Sequence, residues 1–373
     1  MQASLTRNPV MPTNTVLILG ARGRFGLAAA RAFAAAGWRV LGQTRPANVA
    51  PTLVASRTAL PPEGAAVALG RPGGDLPAIE WLPIDLHDTA ALTQAAQGAS
   101  VVVHALNPAY TNAAWQSQAP AMLDASIALC RRLDATLMLP GNIYNFGATM
   151  PPVLREGTPQ AAHTALGRVR IAMEAQLQAS GVRGIVIRSG DFFGSGQGTW
   201  FDMSITKDLR KGALTYPGVK GVSTSWAYLP DLARTFVMVA ERRAQLQPFE
   251  VFHFAGHVLT GQRWLDLLNP IARAQGWVRP DAQLRWKSMP WGVIRVGALF
   301  VPTWASLLEM RYLWNTPHAL ANDKLCALIV TEPHTPLVQA VEQSLRDLGL
   351  LSRPLASDAP AAPEKAALAQ SIR

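Results

Sequence analysis

Cysteine is nearly missing from these 373 residues; Cys130 and Cys326 are the only two. Two isolated thiols make neither a metal-ligand spacing nor a disulfide framework, so no metal is expected. Charge is sparse too, at 16% against 49% hydrophobic residues, which excludes a disordered chain. No apolar run precedes Pro12, so no secretory leader is expected and a cytoplasmic protein is. The longest greasy stretch, Trp291 to Leu308, is broken by Arg295 and Pro302. Both are costly at bilayer depth, so a buried or partner-facing helical segment is expected there and not a membrane span. Basic runs are lacking as well. The net charge is +10, but the arginines are scattered without interleaved aromatics, so nucleic acid is not an expected partner. The length suits one large or two intimate domains.

What is present is glycine in one telling place. Val16 to Leu19 reads as a buried strand, Gly20-Ala21-Arg22-Gly23-Arg24-Phe25-Gly26 follows at once, and an alanine-rich helix comes next. This is a strand, a glycine turn and a helix, the phosphate-binding end of a dinucleotide fold. Gly20 allows the sharp exit, Gly23 lets backbone amides approach a pyrophosphate, and Gly26 lets the helix lie on the sheet. Between Met1 and Asp75 eight arginines face only Glu63 and Asp75. An anionic cofactor explains that excess, and so does plain solvation.

A second strand, Trp38 to Thr44, ends without an acidic residue to hold ribose hydroxyls. Thr44 and Arg45 stand there, with Arg22 and Arg24 in the turn; a guanidinium there suits a 2′-phosphate and favours NADP over NAD. Arg45 equally suits a solvated strand end. Further strands are expected at Ala78 to Leu86, Ser100 to Leu106, Ala135 to Leu139 and Gly184 to Arg188. Helices are expected at Val49 to Thr58, Thr89 to Gln97, Ala119 to Leu133 and His163 to Ala179. Asp85 reads either as an acceptor for an adenine amino group or as the cap of the next helix. His104 reads as a packed core residue. Regular alternation of strand and helix implies an α/β fold with a doubly wound parallel sheet.

After Arg188 the texture turns glycine-rich and aromatic. Helices are expected over Phe201 to Lys211, Pro230 to Ala240, Gln262 to Gln275 and Thr335 to Leu348. The expected organisation is a flexible 1–14, a nucleotide-binding 15–200, and a smaller substrate-binding region 201–351 with 249–256 returning to the sheet. Residues 352–373 read as a frayed tail.

In order, these motifs resemble the extended short-chain dehydrogenase/reductases of the NAD-dependent epimerase/dehydratase group. The resemblance rests on Gly20-x-x-Gly23-x-x-Gly26, Asp85-Leu86, Val103 to Pro108, Ile187 to Gly194 and Trp226 to Ala233. It implies a Rossmann-type fold binding NAD(P). Gly20, Arg22, Gly23, Arg24, Phe25, Gly26, Arg45, Asp85, Leu86, Ala105, Leu106 and Asn107 would lie at the cofactor.

The family's acid/base is a tyrosine followed four residues later by a lysine. Of five tyrosines only Tyr216 has such a lysine, Lys220, and Pro217 and Gly218 intervene, so that pair reads as chance. Registering Glu174 on the family pattern puts Leu166 and Arg170 where tyrosine and lysine belong. Leucine gives no proton; Arg170 suits a ribose hydroxyl or, alternatively, a surface ion pair with Glu174. Tyr144 and Asn142 follow the fifth strand, where Tyr144 reads as the remaining proton donor or as a structural residue. Asp191, Phe193 and Trp200 are expected on the substrate side. The implied activity is hydride transfer on a small hydroxyl or carbonyl compound, sugar nucleotides included. A non-catalytic NAD(P)-binding sensor is the alternative, and a homo-oligomer stays open.

Overall fold

The computed structural model describes residues 14–46 and 79–351. The expected helix at Val49 to Thr58, the loop around it and the tail from Ser352 lie outside the described residues. Seven strands form the main sheet: β1 (Thr15–Leu19), β2 (Arg39–Gln43), β3 (Glu80–Leu82), β4 (Ala99–His104), β5 (Thr136–Asn142), β6 (Gly184–Ser189) and β7 (Phe249–His253). All neighbours are parallel, in the order β3-β2-β1-β4-β5-β6-β7. The order reverses between β1 and β4, and ligands of such sheets bind at the strand ends beside that switch.

Helices cover both faces, which is why the central strands β1, β4, β5 and β6 are mostly apolar and buried. Val16 and Ile18 of β1 pack towards α1 (Arg24–Ala35) and α5 (Leu229–Glu241). Leu17 and Leu19 pack on the other side, towards α3 (Asn112–Leu133) and α4 (Ala165–Ala179). A third, aromatic core surrounds a small sheet of Asp191–Phe193, Thr224–Tyr228 and His257–Leu259.

Several boundaries differ from the sequence expectations for local reasons. β3 is short because Pro83 offers no N–H to continue the ladder. The helix α2 (Thr89–Ala95) is capped by Asp88, which accepts from the Ala91 N–H at 3.0 Å. Asp85 instead accepts from the His87 N–H at 2.8 Å, so it is not the cap. α3 begins at Asn112, not Ala119, because the Thr111 hydroxyl accepts from the Ala114 N–H and Pro120 is tolerated within the helix. Phe201 to Lys211 is no continuous helix; it is a wide turn at Phe201–Ile205 and a tight one at Leu209–Lys211.

One buried ion pair pins β6 to α4. Arg188 donates to Glu174 through Nη2 at 2.5 Å and Nε at 3.1 Å, and both side chains are almost wholly buried. Asn145 Nδ2 also donates to Glu174, at 3.0 Å. Gly141 on β5 leaves the room, since a Cβ there would sit 2.8 Å from Arg188 Cγ. Removing one charge strands the other in a dry site. Glu174→Gln is therefore expected to lower unfolding free energy by about 3–5 kcal/mol in urea melts, and Glu174→Leu combined with Arg188→Met to recover much of the loss.

Candidate functional site

The switch point is built by two strand ends in contact. Gly20 leaves β1 at φ +73°, where side-chain-bearing residues are strained. A Cβ on Gly20 would lie 2.9 Å from Leu106 Cδ2 and 3.0 Å from the Ala105 carbonyl oxygen, just past β4. Gly26 is tighter still; its Cβ would lie 2.4 Å from the Gly20 carbonyl oxygen. Gly23 stands at the N-cap of α1 with no side chain capping the first turn. First-turn amides of a helix have no partner within it, and they form an anion site. The residues present therefore fit a dinucleotide pyrophosphate.

Gln43 at the end of β2 is a buried strut. Gly20 N donates to its Oε1 at 3.0 Å, and its Nε2 donates to the Ile84 carbonyl at 2.8 Å. Thr44 is buried and Arg45 exposed beside it. Arg22 lies over the Trp81 ring, 5.7 Å from its centroid. Arg24 points elsewhere, donating to the Gln197 carbonyl at 3.1 Å, so its guanidinium ties the glycine turn to the loop at Gly194 to Gly198. Phe25 packs edge-on against Phe236 at 4.8 Å; its side chain belongs to the core, and only its backbone faces the turn. Leu86 is likewise buried in core. Asp85 keeps its carboxylate at the end of the β3 segment, half-buried.

Beyond the ends of β4, β5 and β6 lies a polar aromatic cluster. Arg170 is buried, not on the surface, and Glu174 serves Arg188, so the surface pair is not formed. Arg170 Nη2 donates to Asn107 Oδ1 at 3.3 Å, and its guanidinium lies 4.7 Å from the Trp115 ring centroid. Its Nε, although buried, has no hydrogen-bond partner among the described residues. Such a donor needs an acceptor. His104 nearby is a core residue hydrogen-bonded to Ser126 at 2.8 Å; burial first, then the Arg170 charge, hold its pKa down at about 3.

Tyr144 follows β5, and its N–H donates to Asn142 Oδ1 at 3.0 Å. That leaves the Asn142 amide hydrogens for another oxygen. The Tyr144 and Tyr110 hydroxyls are close enough to influence each other's ionisation. Burial pushes Tyr144 up to about 12, helped by the Asp191 carboxylate; the Tyr110 hydroxyl and Arg170 oppose this. Tyr144 therefore stays a neutral O–H donor at working pH. Asp191 accepts from Trp314 Nε1 at 2.7 Å, yet burial still raises it to about 6. Its charge acts on Tyr110, Tyr144 and Tyr312. Trp200 lies one ring further out, 4.9 Å from Trp314. Phe193 is fully buried among Phe201, Tyr228 and Trp264, so its side chain does not reach the cluster.

Sequence reasoning missed Tyr110, Trp115, Tyr312 and Trp314. Tyr110 had a signal, since it lies in the loop leaving the carboxyl end of β4. Tyr312 and Trp314 had none. They arrive because α8 (Pro302–Met310) is fastened to the starts of α3 and α4. Ser306 Oγ accepts from Asn112 N at 2.9 Å, and Glu309 accepts from Asn112 Nδ2 at 2.6 Å and from Ala165 N at 3.1 Å.

Known proteins with this architecture are numerous. A nucleoside-diphosphate-sugar epimerase from Pseudomonas aeruginosa superposes with a TM-score of 0.63 at 17% identity, over 90% of this chain and 98% of that one. A Bordetella bronchiseptica enzyme in complex with NAD+ gives 0.61 at 15%, over 90% and 98%. A Thermotoga maritima UDP-glucose 4-epimerase with UDP-glucose gives 0.62 at 14%, over 89% and 98%. No curated protein matches the sequence. The model of the NAD dependent epimerase/dehydratase family matches residues 16–255, through the glycine turn, the strand ends and the Arg188 segment. This chain belongs to the NAD dependent epimerase/dehydratase family.

Proposed function

We propose that the protein is a nicotinamide-dependent oxidoreductase of the epimerase/dehydratase kind, acting on a hydroxyl or carbonyl carbon of a small, sugar-nucleotide-like substrate. The observation that carries this reading is the convergence of the Arg170 donor, the Tyr144 hydroxyl and the Asp191 carboxyl beside the glycine turn. A bound dinucleotide supplies the hydride acceptor. Gly20, Gly23 and Gly26 shape its pyrophosphate site, Ala105 to Asn107 its floor, and Arg170 takes a ribose hydroxyl. Tyr144 and Asn142 donate to the substrate oxygen. With such a cofactor bound to take the hydride, Asp191, when ionised, would accept the proton of the substrate hydroxyl. The Thermotoga maritima epimerase, which holds UDP-glucose, supports the sugar-nucleotide class. The exposed Arg45 and Arg22, with no carboxylate on Gln43-Thr44-Arg45, favour NADP over NAD.

The direct test is titration of the purified protein with NAD and NADP, followed by a panel of nucleotide sugars with formation of reduced cofactor or epimer as readout. Turnover with any of them supports the reading. Tight nucleotide binding without turnover transfers the case to a non-catalytic sensor. That second reading has one observation behind it: Leu166, at the family's tyrosine position, is fully buried in core and offers the site no proton.

Asp191 gives the pH dependence. A base must be ionised, so kcat rises with pH through about 6 and levels above it. Asp191→Asn removes that limb and most of the turnover. The same raised pKa has a stability consequence of fixed sign. The folded state holds the Asp191 proton more tightly than the unfolded state, so its stabilising contribution is full below about pH 4 and is lost as pH rises through about 6. Asp191→Asn is therefore expected to stabilise the fold at pH 7, by on the order of 1–3 kcal/mol in urea melts.

A further inference from the structure

Four strongly exposed apolar side chains sit on one hairpin. It consists of α7 (Trp291–Gly297), a turn at residues 298–301, and α8. Val293 is 62% exposed, Val296 64%, Leu299 79% and Phe300 82%. The hairpin is a built unit. Trp304 lies directly on Gly297, where a Cβ would come within 2.2 Å of the ring. Phe300 and Val301 N–H both donate to the Gly297 carbonyl, at 3.0 and 2.9 Å. The inner face, Ile294, Leu307 and Trp314 with Trp291 and Trp304, forms a small core of its own. The outer side chains are thus held in water by a scaffold that is already satisfied, and an apolar patch of this kind marks an interaction surface.

Charge identifies the partner. From Arg285 to Arg311 there are four cations, Arg285, Lys287, Arg295 and Arg311, and one acid, Glu309. Glu309 is turned inward onto Asn112 and Ala165, and Lys287 is paired with Asp208. Arg295 is exposed on α7 and has no acidic partner among the described residues. Arg311, also exposed, lies over the Trp291 ring at the base of the hairpin, so the apolar tip carries two arginines, on a chain of net charge +10. A second copy would bring the same two arginines and no acid on its hairpin to meet them. An anionic bilayer answers both features: apolar side chains enter the acyl boundary and arginines meet headgroup phosphates. The hairpin helices are of seven and nine residues, and no described helix is long and apolar enough to cross a membrane. Such an attachment lies in the interface plane.

We propose that the α7–α8 hairpin docks this protein on an anionic lipid surface through Val293, Val296, Leu299, Phe300 and Arg295. The test is flotation of the full chain with vesicles of phosphatidylcholine containing one-third phosphatidylglycerol, beside pure phosphatidylcholine vesicles. The protein is expected to float with the anionic vesicles, less with neutral ones, and less in high salt. Leu299→Glu with Phe300→Glu is expected to reduce partitioning by about tenfold or more. Its unfolding midpoint and nucleotide affinity should stay those of the parent, which separates docking from folding and from the cofactor site. Absence of flotation on anionic vesicles overturns the proposal, as does flotation that the double variant leaves unchanged. A dimer in sedimentation equilibrium that the double variant converts to monomer, without lipid binding, assigns the patch to a second copy and also overturns it.

Discussion

Tyr144→Phe is expected to lower kcat by about 10²–10⁴-fold while leaving nucleotide affinity unchanged. The substitution removes one oxygen and keeps the ring, which sits 6.4 Å from Trp115 and is held by the Tyr144 N–H bond to Asn142. A hydrogen bond made to the reacting oxygen strengthens as charge develops there, so its loss falls on kcat more than on KM. The pKa of about 12 adds a second signature. A phenolate base would make the deficit grow with pH. A neutral donor makes it constant, so parent and variant profiles should run parallel from pH 6 to pH 9 and share the lower limb set by Asp191. Tyr110→Phe is expected to be milder, because Tyr110 acts on the chemistry only by its influence on the neighbouring Tyr144 hydroxyl. A Tyr144→Phe enzyme within threefold of the parent removes Tyr144 from the chemistry and leaves it as a strand-end packing residue.

The cofactor end of the molecule was legible because its signals are local. Strand β1, the glycine turn and α1 are written within about twenty consecutive residues, and Gly26 answers a steric demand from inside that stretch, the Gly20 carbonyl and Ala21 Cα. The parallel sheet was legible for the same reason: SVVVHAL and GIVIR carry their own burial pattern. The reactive end was less so. Tyr144 and Asp191 were visible as polar residues after strand ends, but what surrounds them comes from afar. Trp314 reaches Asp191 across 123 positions, and it does so through α8, whose anchoring by Ser306 and Glu309 has no periodicity to betray it. Phe193 shows the converse. It stands two residues from Asp191, yet its ring is fully buried against Phe201, Tyr228 and Trp264, which arrive from other elements. Arg170 could be placed on α4 from the sequence, but its burial could not, since Trp115 reaches it from another helix.

Gly23→Val is expected to weaken NAD(P) binding by about a hundredfold or more without unfolding the protein, a loss of roughly 3 kcal/mol. Gly23 has φ −67° and ψ 161°, a region open to every residue, so the backbone does not object. Its Cβ would lie 3.1 Å from the Gly20 carbonyl oxygen, a crowding that a shift of a few tenths of an ångström relieves. The added branches then occupy the space in front of the uncapped first turn of α1, where the pyrophosphate belongs. Gly26→Ala is the contrasting case. Its Cβ would press to 2.4 Å of that same carbonyl and 2.9 Å of Ala21 Cα, both backbone, so it is expected to lower the melting temperature as well as nucleotide affinity. The pair separates recognition from folding: calorimetric titration should show Gly23→Val folded and blind to nucleotide, and Gly26→Ala damaged in both. If Gly23→Val binds NAD(P) as the parent does, no phosphate rests on the start of α1, and the assignment of Arg170, Tyr144 and Asp191 to a hydride-transfer site loses its anchor.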